Sequence, residues 1–407
     1  MVERTAQGPE TNLAQSGGRF GAIAHTGGPS TSPGISMLVM TQSQRSPCLR
    51  VEVVASPAAF RDLRSEWNAL VARTDDQVFY RHEFIETWLN HFATGKWRIL
   101  LLRDAGDSLV AALPLLHGWA CLHGLPLRQL RGAANSHSGR FDLIADEPEQ
   151  ASAAFLDYLA DARDWDVLIL TDLPRQGHAR TLEQVAGDRG FPTGRWCAMQ
   201  SPCRKLPASW AELESELSSS FRANLRRRRR GLDALGVVRV ERCSDSAEQV
   251  AAGIELERQG WKGRAGTAMA QDADTRGFYT DLARVLGAQG RLALWALYLD
   301  ERLIAFQFGL EHQGSYALLK PAYDESLARY SPGQLLMAEV LRDAIDRGLS
   351  QFEFLGEDMP WKQDWRPDTC LQDWLFVFRR SASGRMLRAL KFSLLPRLRR
   401  ITRSIHR

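Results

Sequence analysis

Six of the nine residues from Arg222 to Arg230 are arginine, in a segment whose Phe221, Leu225, Leu232 and Leu235 recur at helical spacing. At about 100° per residue, Arg222, Arg226 and Arg229 form one ridge beside that apolar stripe, and Arg228 falls almost above Phe221. A half-buried guanidinium needs a partner, and phosphate suits its planar fork. A solvated helix face paired to Glu212, Glu214 and Glu216 is the plain alternative. A second candidate is Ala328-Arg-Tyr-Ser-Pro-Gly-Gln334, between a strand and a helix. Ser331 is placed to cap that helix, with Pro332 at its first position and Gln334 completing a capping box; Gly333 leaves room for a ligand to reach the free N–H groups. The third is Gly356–Trp365, where Glu357, Asp358 and Lys362 lie around Trp361 and Trp365. Such a mixture can shift pKa values and supply a proton acceptor. His137 and Asp142, in Asn135–Asp142, are a further pair.

Two runs of elements must position these groups. In the first, strand 49–54 precedes helices over Pro57–Arg73 and His82–Phe92; strands follow at Trp97–Leu102, Ser108–Leu116 and Phe141–Ile144. A helix over Glu149–Ala162, a strand at Val167–Leu170 and a helix over Leu182–Asp188 complete it. Pro202–Pro207 reads as a junction. Beyond it, the arginine helix and strand Val237–Val240 lead to helices at Ala247–Arg258 and Thr275–Leu286. A meander follows over Leu292–Leu299, Leu303–Leu310 and Ser315–Lys320; then come helix Pro332–Arg347 and strands Phe352–Leu355 and Leu371–Phe378. Each run makes a mixed sheet flanked by helices, an α/β or α+β layered fold.

Residues 1–47, rich in Gly, Ser, Thr, Pro and Gln, read as a disordered leader. Residues 385–407 carry eight Lys or Arg and no acid against a net charge of +4 for all 407, so the main body is mildly acidic. Its positive charge is concentrated in the arginine helix, which suits a local anion site rather than a DNA surface. Met386, Leu387, Leu390, Leu394 and Leu395 share a face of this basic tail, a pattern for peripheral adsorption to an anionic membrane. The six cysteines show no metal-ligand or Cys-x-x-Cys spacing, so free thiols in a reducing cytoplasm are expected. No metal site, serine-hydrolase elbow, Walker loop or dinucleotide fingerprint is present.

Several motifs in fixed order carry a resemblance. They are Ser220-Phe-Arg-Ala-Asn-Leu-Arg-Arg227, Leu235-Gly236, Trp261, Gly290-Arg-Leu292, Ile304-Ala305, Pro321-Ala-Tyr-Asp324, Arg329-Tyr-Ser-Pro-Gly333, Phe354-Leu-Gly356, Trp361-Lys362 and Trp365. Over about residues 50–380 the chain resembles the CelD/BioF2-like acetyltransferase family, most strongly over 215–366. That resemblance implies two tandem GNAT-like domains, as in the FemABX transferases, here at 48–202 and 203–380, with 381–407 as the tail. It implies acetyl-CoA or another acyl-CoA as co-substrate, held by Tyr330, Ser331, Pro332, Gly333 and Gln334. Direct acyl transfer would go to a small-molecule or nucleotide-linked amine, less readily a hydroxyl, in cell-envelope or exopolysaccharide biosynthesis. Asp358 or Glu357 would accept the proton and Tyr323 or Tyr330 protonate the thiolate, with Lys362 beside them. Arg222, Arg226 and Arg229 would bind phosphate, and His137, Asp142, Trp261 and Trp365 would complete the substrate surface. An aminoacyl-tRNA donor, as in FemABX relatives, and a catalytically silent partner of a polysaccharide synthase are the alternatives.

Overall fold

Ile99-Leu-Leu-Leu102 is too continuously apolar for a strand wetted on one side. In the computed structural model, which describes residues 49–122, 125–243 and 247–394, all four are buried within a sheet covered on both faces. The leader and the tail beyond Leu394 lie outside the described residues.

The chain runs β1 (Arg50–Val54), α1 (Pro57–Asp62), α2 (Arg64–Arg73), a 3-10 turn (Val78–Tyr80), α3 (His82–Phe92), β2 (Trp97–Arg103), β3 (Leu109–Leu122), β4 (Leu125–Gly132) and β5 (Ile144–Ala145). Next come α4 (Pro148–Asp161), β6 (Val167–Pro174), α5 (Ala179–Asp188), β7 (Thr193–Lys205), α6 (Trp210–Glu216), α7 (Ser219–Asp233), β8 (Val238–Cys243), α8 (Ala247–Gln259), α9 (Trp261–Arg264) and α10 (Ala273–Gly287). Last are β9 (Leu292–Leu299), β10 (Arg302–His312), β11 (Ser315–Tyr323), a 3-10 turn (Glu325–Tyr330), α11 (Pro332–Asp346), β12 (Gln351–Glu353), α12 (Pro360–Gln363), β13 (Asp368–Phe378) and α13 (Ala382–Ala389).

These strands share one mixed sheet, ordered β1-β2-β3-β4-β6-β13-β7-β12-β11-β10-β9-β8, with β5 on β3. The β4/β6 and β11/β12 pairs are parallel. The junction expected at Pro202–Pro207 begins within β7, and β13, late in the chain, lies between β6 and β7. Strands from both halves of the sequence therefore share one hydrogen-bonded ladder.

That register corrects the expectation of free thiols. Asp368 faces Cys203 across β13/β7, which brings Cys370 within reach, and Cys203 and Cys370 are disulfide-bonded with Cα atoms 5.9 Å apart. They are 167 residues apart in sequence, so no local spacing announced them. The reducing compartment loses the support of six free thiols.

Side chains alternate along β9 and β10. Leu292, Leu294, Phe306, Phe308 and Leu310 join a core shared with α8, α10 and the first half of the chain. Ala293, Trp295, Leu297 and Ala305 join a second core with α7 and α11. The arginine helix, α7, buries Phe221, Leu225 and Leu232 there, and Ser218 Oγ caps it by accepting from Phe221 N–H at 3.2 Å. Leu235, placed in the same stripe from sequence, lies beyond the helix end and is exposed.

Candidate active site

Parallel strands β11 and β12 pair only from Ser315↔Gln351 to Ala317↔Glu353. Then β12 stops, because Leu355 (φ 49°) and Gly356 (φ 60°) take left-handed backbone and turn the chain away. β11 continues to Tyr323 on β10, with a register shift at Phe308/Gly309. The strands part around a cavity of about 810 Å³. Leu318–Tyr323 line one side of it, and Phe354–Glu357 with Met359–Lys362 the other. Its wall includes Met337, Tyr323 and Phe354 from the α11 core, and Leu256, Phe306 and Ala322 from the α8/α10 core. The cavity thus passes through the sheet at the gap and has a lobe on each face.

The first lobe lies at the start of α11. Ser331 does not cap it as expected: its backbone is left-handed (φ 48°), and its Oγ donates back to Ala328 O at 3.3 Å. The 3-10 turn ends directly against α11, so Ser331 is the hinge between two helices. Gln334 forms no capping box either. Its Oε1 accepts from Trp365 Nε1 at 2.6 Å, and its Nε2 donates to Trp361 O at 3.0 Å and Asp364 Oδ2 at 3.3 Å. Trp365, wholly buried, packs edge-on to Phe221 of α7. Gln334 therefore ties the helix start to the segment after β12. Pro332 has no N–H and the Gln334 N–H donates to Ser331 O at 2.9 Å, so the Gly333 N–H is the first-turn donor left open, at the positive end of α11. Arg228 faces this lobe, its Nε buried and unpartnered; Asp364, whose pKa is raised by burial, is attracted to its charge.

The second lobe collects groups from both halves of the chain. Arg140 pairs with Glu353 at 2.7 Å and Gln372 Nε2 donates to Gly139 O at 3.2 Å, which hold the 135–142 loop against the gap. His137 stacks on Phe92, and its Nδ1 lies 3.1 Å from Tyr279 Oη. Burial, reinforced by the charge of Lys320, pushes His137 down to about 4, so it is neutral at pH 7. Lys320 sits 5.4 Å above the Tyr279 ring, and burial brings its amine down to about 8. Glu257 holds Lys262 Nζ at 2.7 Å and accepts from Met269 N–H at 2.7 Å. On the wall after β12, Lys362 donates to Leu355 O at 2.5 Å and Glu357 O at 2.6 Å, fixing the left-handed turn; burial also lowers its amine to about 8.

Of the residues singled out from sequence, Tyr323, Ser331, Gly333, Gln334, Glu357, Lys362, His137 and Trp261 line the cavity. Tyr330 packs under Arg329 at 4.6 Å, and Pro332 is buried in α11. Asp358 accepts from Gln363 Nε2 at 2.6 Å and does not line the cavity. Asp142 is no partner of His137: it accepts from the N–H groups of Leu143, His178 and Ala179, anchoring the start of α5. The arginine ridge also stands apart. Arg226 lies 3.5 Å from Glu214, and Arg229 pairs with Asp233 at 2.9 Å; Arg228 alone of the cluster reaches the cavity. Lys320, Tyr279 and Glu257 were not anticipated. A lysine inside the apolar run Ala317-Leu-Leu-Lys-Pro-Ala322 was the signal available for the first.

Residues 219–363 match the family described as acetyltransferase (GNAT) domain. No curated protein matches the sequence. Among solved structures, FemX is similar at 13% identity and a TM-score of 0.54, over 76% of this chain and 95% of that one. A conserved protein of unknown function from Bacteroides thetaiotaomicron VPI-5482 is 13% identical with a TM-score of 0.51, over 81% and 100%. The C-terminal domain (DUF2156) of a putative lysylphosphatidylglycerol synthetase from Agrobacterium fabrum is 12% identical with a TM-score of 0.50, over 83% and 95%. At these identities the likeness is one of fold. The match to the acetyltransferase (GNAT) domain spans the opening of the sheet between β11 and β12, and the chain is an acyltransferase.

Proposed function

We propose that the protein transfers an acyl group, acetyl in the first instance, from an acyl-coenzyme A to an amine, the two substrates entering from opposite faces of the sheet and meeting in the β11/β12 gap. The observation that carries this reading is the premature end of the β11/β12 ladder, which opens one cavity to both faces. The α11 lobe suits a phosphate-bearing donor. It has the open Gly333 N–H at a helix start, an unpartnered guanidinium at Arg228, and open space at Gly333, where an added Cβ would come no closer than 3.6 Å to Tyr323. Beyond Ala317 the outer edge of β11 has lost β12; Pro321 has no N–H and its carbonyl accepts from Lys262 Nζ at 2.7 Å, so Leu318–Lys320 is the stretch left open to an amide-bearing arm.

The acceptor nitrogen attacks the thioester carbonyl carbon, the C–S bond breaks, and the sulfur leaves as thiolate. Glu357 is the wall carboxylate proposed to take the amine proton, and Tyr323 the hydroxyl proposed to protonate the thiolate. Alignment of the two reactants supplies roughly 7–11 kcal/mol of such a barrier, so the protein needs no covalent intermediate. The family resemblance supports a place in cell-envelope or exopolysaccharide biosynthesis, on the cytoplasmic side. No helix among the described residues is long and apolar enough to cross a membrane. The likeness to FemX supports an aminoacyl-tRNA donor as the second reading. Calorimetric titration with acetyl-CoA, longer acyl-CoAs and aminoacyl-tRNA separates the two: micromolar binding of a thioester is expected, and binding of aminoacyl-tRNA alone would overturn the first reading.

A further inference from the structure

Four cationic side chains line the cavity, and two are already accommodated. Lys262 is paired with Glu257, and Lys362 is held by two carbonyls. Arg228, unpartnered, lies in the α11 lobe, where Asp364 feels its charge. Lys320 is the unpartnered cation of the other lobe. Among the described residues its Nζ has no hydrogen bond and no ion pair; its one close companion is the face of Tyr279. The carboxylate whose charge it feels, Glu257, already has one oxygen on Lys262 and the other on Met269 N–H.

A half-buried ammonium without a protein acceptor has lost part of its hydration, and one cation–π contact offsets only part of that cost. The surroundings do not relieve it. His137 is neutral, and Asn135 turns its Oδ1 toward Trp88 Nε1 and the His137 N–H, which leaves its NH2 as a further donor beside the lobe. Asp172, a further carboxylate on the cavity wall, is hydrogen-bonded with Thr171 and Trp374 and is not among the charges that Lys320 feels, so the ammonium and the Asn135 NH2 are donors that lack an acceptor.

We propose that the α8/α10 lobe recognises an acceptor bearing an anionic group, carboxylate or phosphate, close to its reacting amine, and that Lys320 is the specificity-determining residue that binds the anion. This rests on the acyl-transfer reading for the role of the amine, but the anion site itself does not. Occupancy by one anion neutralises Lys320 and fixes the orientation of a small amine in the lobe. A neutral amine of the same size covers the ammonium without pairing it, so selectivity follows from what remains unsatisfied.

The test is calorimetry on the full chain with N-acetylglycine, N-acetylglycinamide and N-acetyl-phosphoethanolamine, using wild type, Lys320→Met and Lys320→Arg. Wild type is expected to bind an anionic probe at least about tenfold tighter than the neutral amide. Lys320→Met is expected to erase that preference and Lys320→Arg to keep part of it; whichever of the two anionic probes binds better identifies the group. Lys320→Met is also expected to melt no lower than wild type, because an unpaired, half-buried charge is removed; a clear loss of stability would give Lys320 a structural role instead. Equal affinity for the three probes, no binding of either anion, or a preference that survives Lys320→Met would overturn the proposal. An acetyl-CoA titration of wild type runs alongside. Failure there with anion discrimination intact would remove the acyl-CoA reading and leave the anion site standing.

Discussion

Arg228→Met should weaken acetyl-CoA binding more than any of Arg222→Ala, Arg226→Ala and Arg229→Ala. On the ridge, Arg229 is bonded to Asp233 at 2.9 Å with 39% of its side chain exposed, and Arg226 stands 3.5 Å from Glu214 with 62% exposed. Exposed pairs of this kind contribute about 0–1 kcal/mol. To bind phosphate, either guanidinium would first leave its carboxylate. Arg222 has an unpartnered buried Nε but does not reach the cavity. Arg228 does, and among the described residues its guanidinium has no hydrogen bond or ion pair to give up. One charge-assisted bond to a phosphate oxygen is worth roughly 1.5–3 kcal/mol, which converts to about a 10- to 150-fold change in Kd. Partial burial makes this less sensitive to salt than a surface contact. Titration calorimetry with acetyl-CoA at two ionic strengths, with melting curves for each variant, measures both quantities. Unchanged affinity in Arg228→Met, or an equal loss across the ridge variants, would refute the reasoning.

Gly333→Val should reduce acetyl-CoA affinity while Gly333→Ala stays close to wild type, since a lone Cβ meets only ordinary contact with Tyr323 at 3.6 Å and the branched side chain projects further; equal affinity in all three would take the helix start out of the site. Glu357→Gln should lower turnover by roughly 10²–10⁴-fold. Asp358→Asn, off the cavity wall, should not, and the reverse pattern would exchange their roles. Adsorption of the basic tail to anionic membranes is best tested by truncation after Leu394, because Phe392 packs on Trp196 and Phe376 and an earlier cut would strip the sheet. Full-length protein should co-sediment with phosphatidylglycerol vesicles more than the truncated chain and lose that excess at high salt; equal pelleting would end the membrane proposal.

Helices were the most legible part of the fold. The helix expected over His82–Phe92 is α3, and the stripe of Phe221, Leu225 and Leu232 marks α7. β4 and β7 were missed because Leu125–Gly132 and Thr193–Lys205 are polar and partly exposed, without clean alternation. The strand expected over Phe141–Ile144 shrinks to Ile144–Ala145, since Phe141 and Asp142 sit in the loop that anchors α5. The loops around the cavity were legible as Ser331–Gln334 and Glu357–Lys362, because turn residues and clustered charge mark them. Their details were not: Ser331 is a hinge and Gln334 a brace, roles fixed by Trp361 and Trp365 some thirty residues on. The phase of Arg228 above Phe221 already set it apart from the ridge. Nothing local showed that Lys320 would have no partner, because that depends on Glu257 choosing Lys262.

The most direct measurement is hydrogen–deuterium exchange of the full chain with and without acetyl-CoA. Protection is expected at Leu318–Tyr323, at the first turn of α11 and across Phe354–Lys362, the three segments that border the β11/β12 gap. Protection confined to other parts of the sheet, with these three segments unchanged under saturating acetyl-CoA, would contradict the gap as the site of acyl transfer.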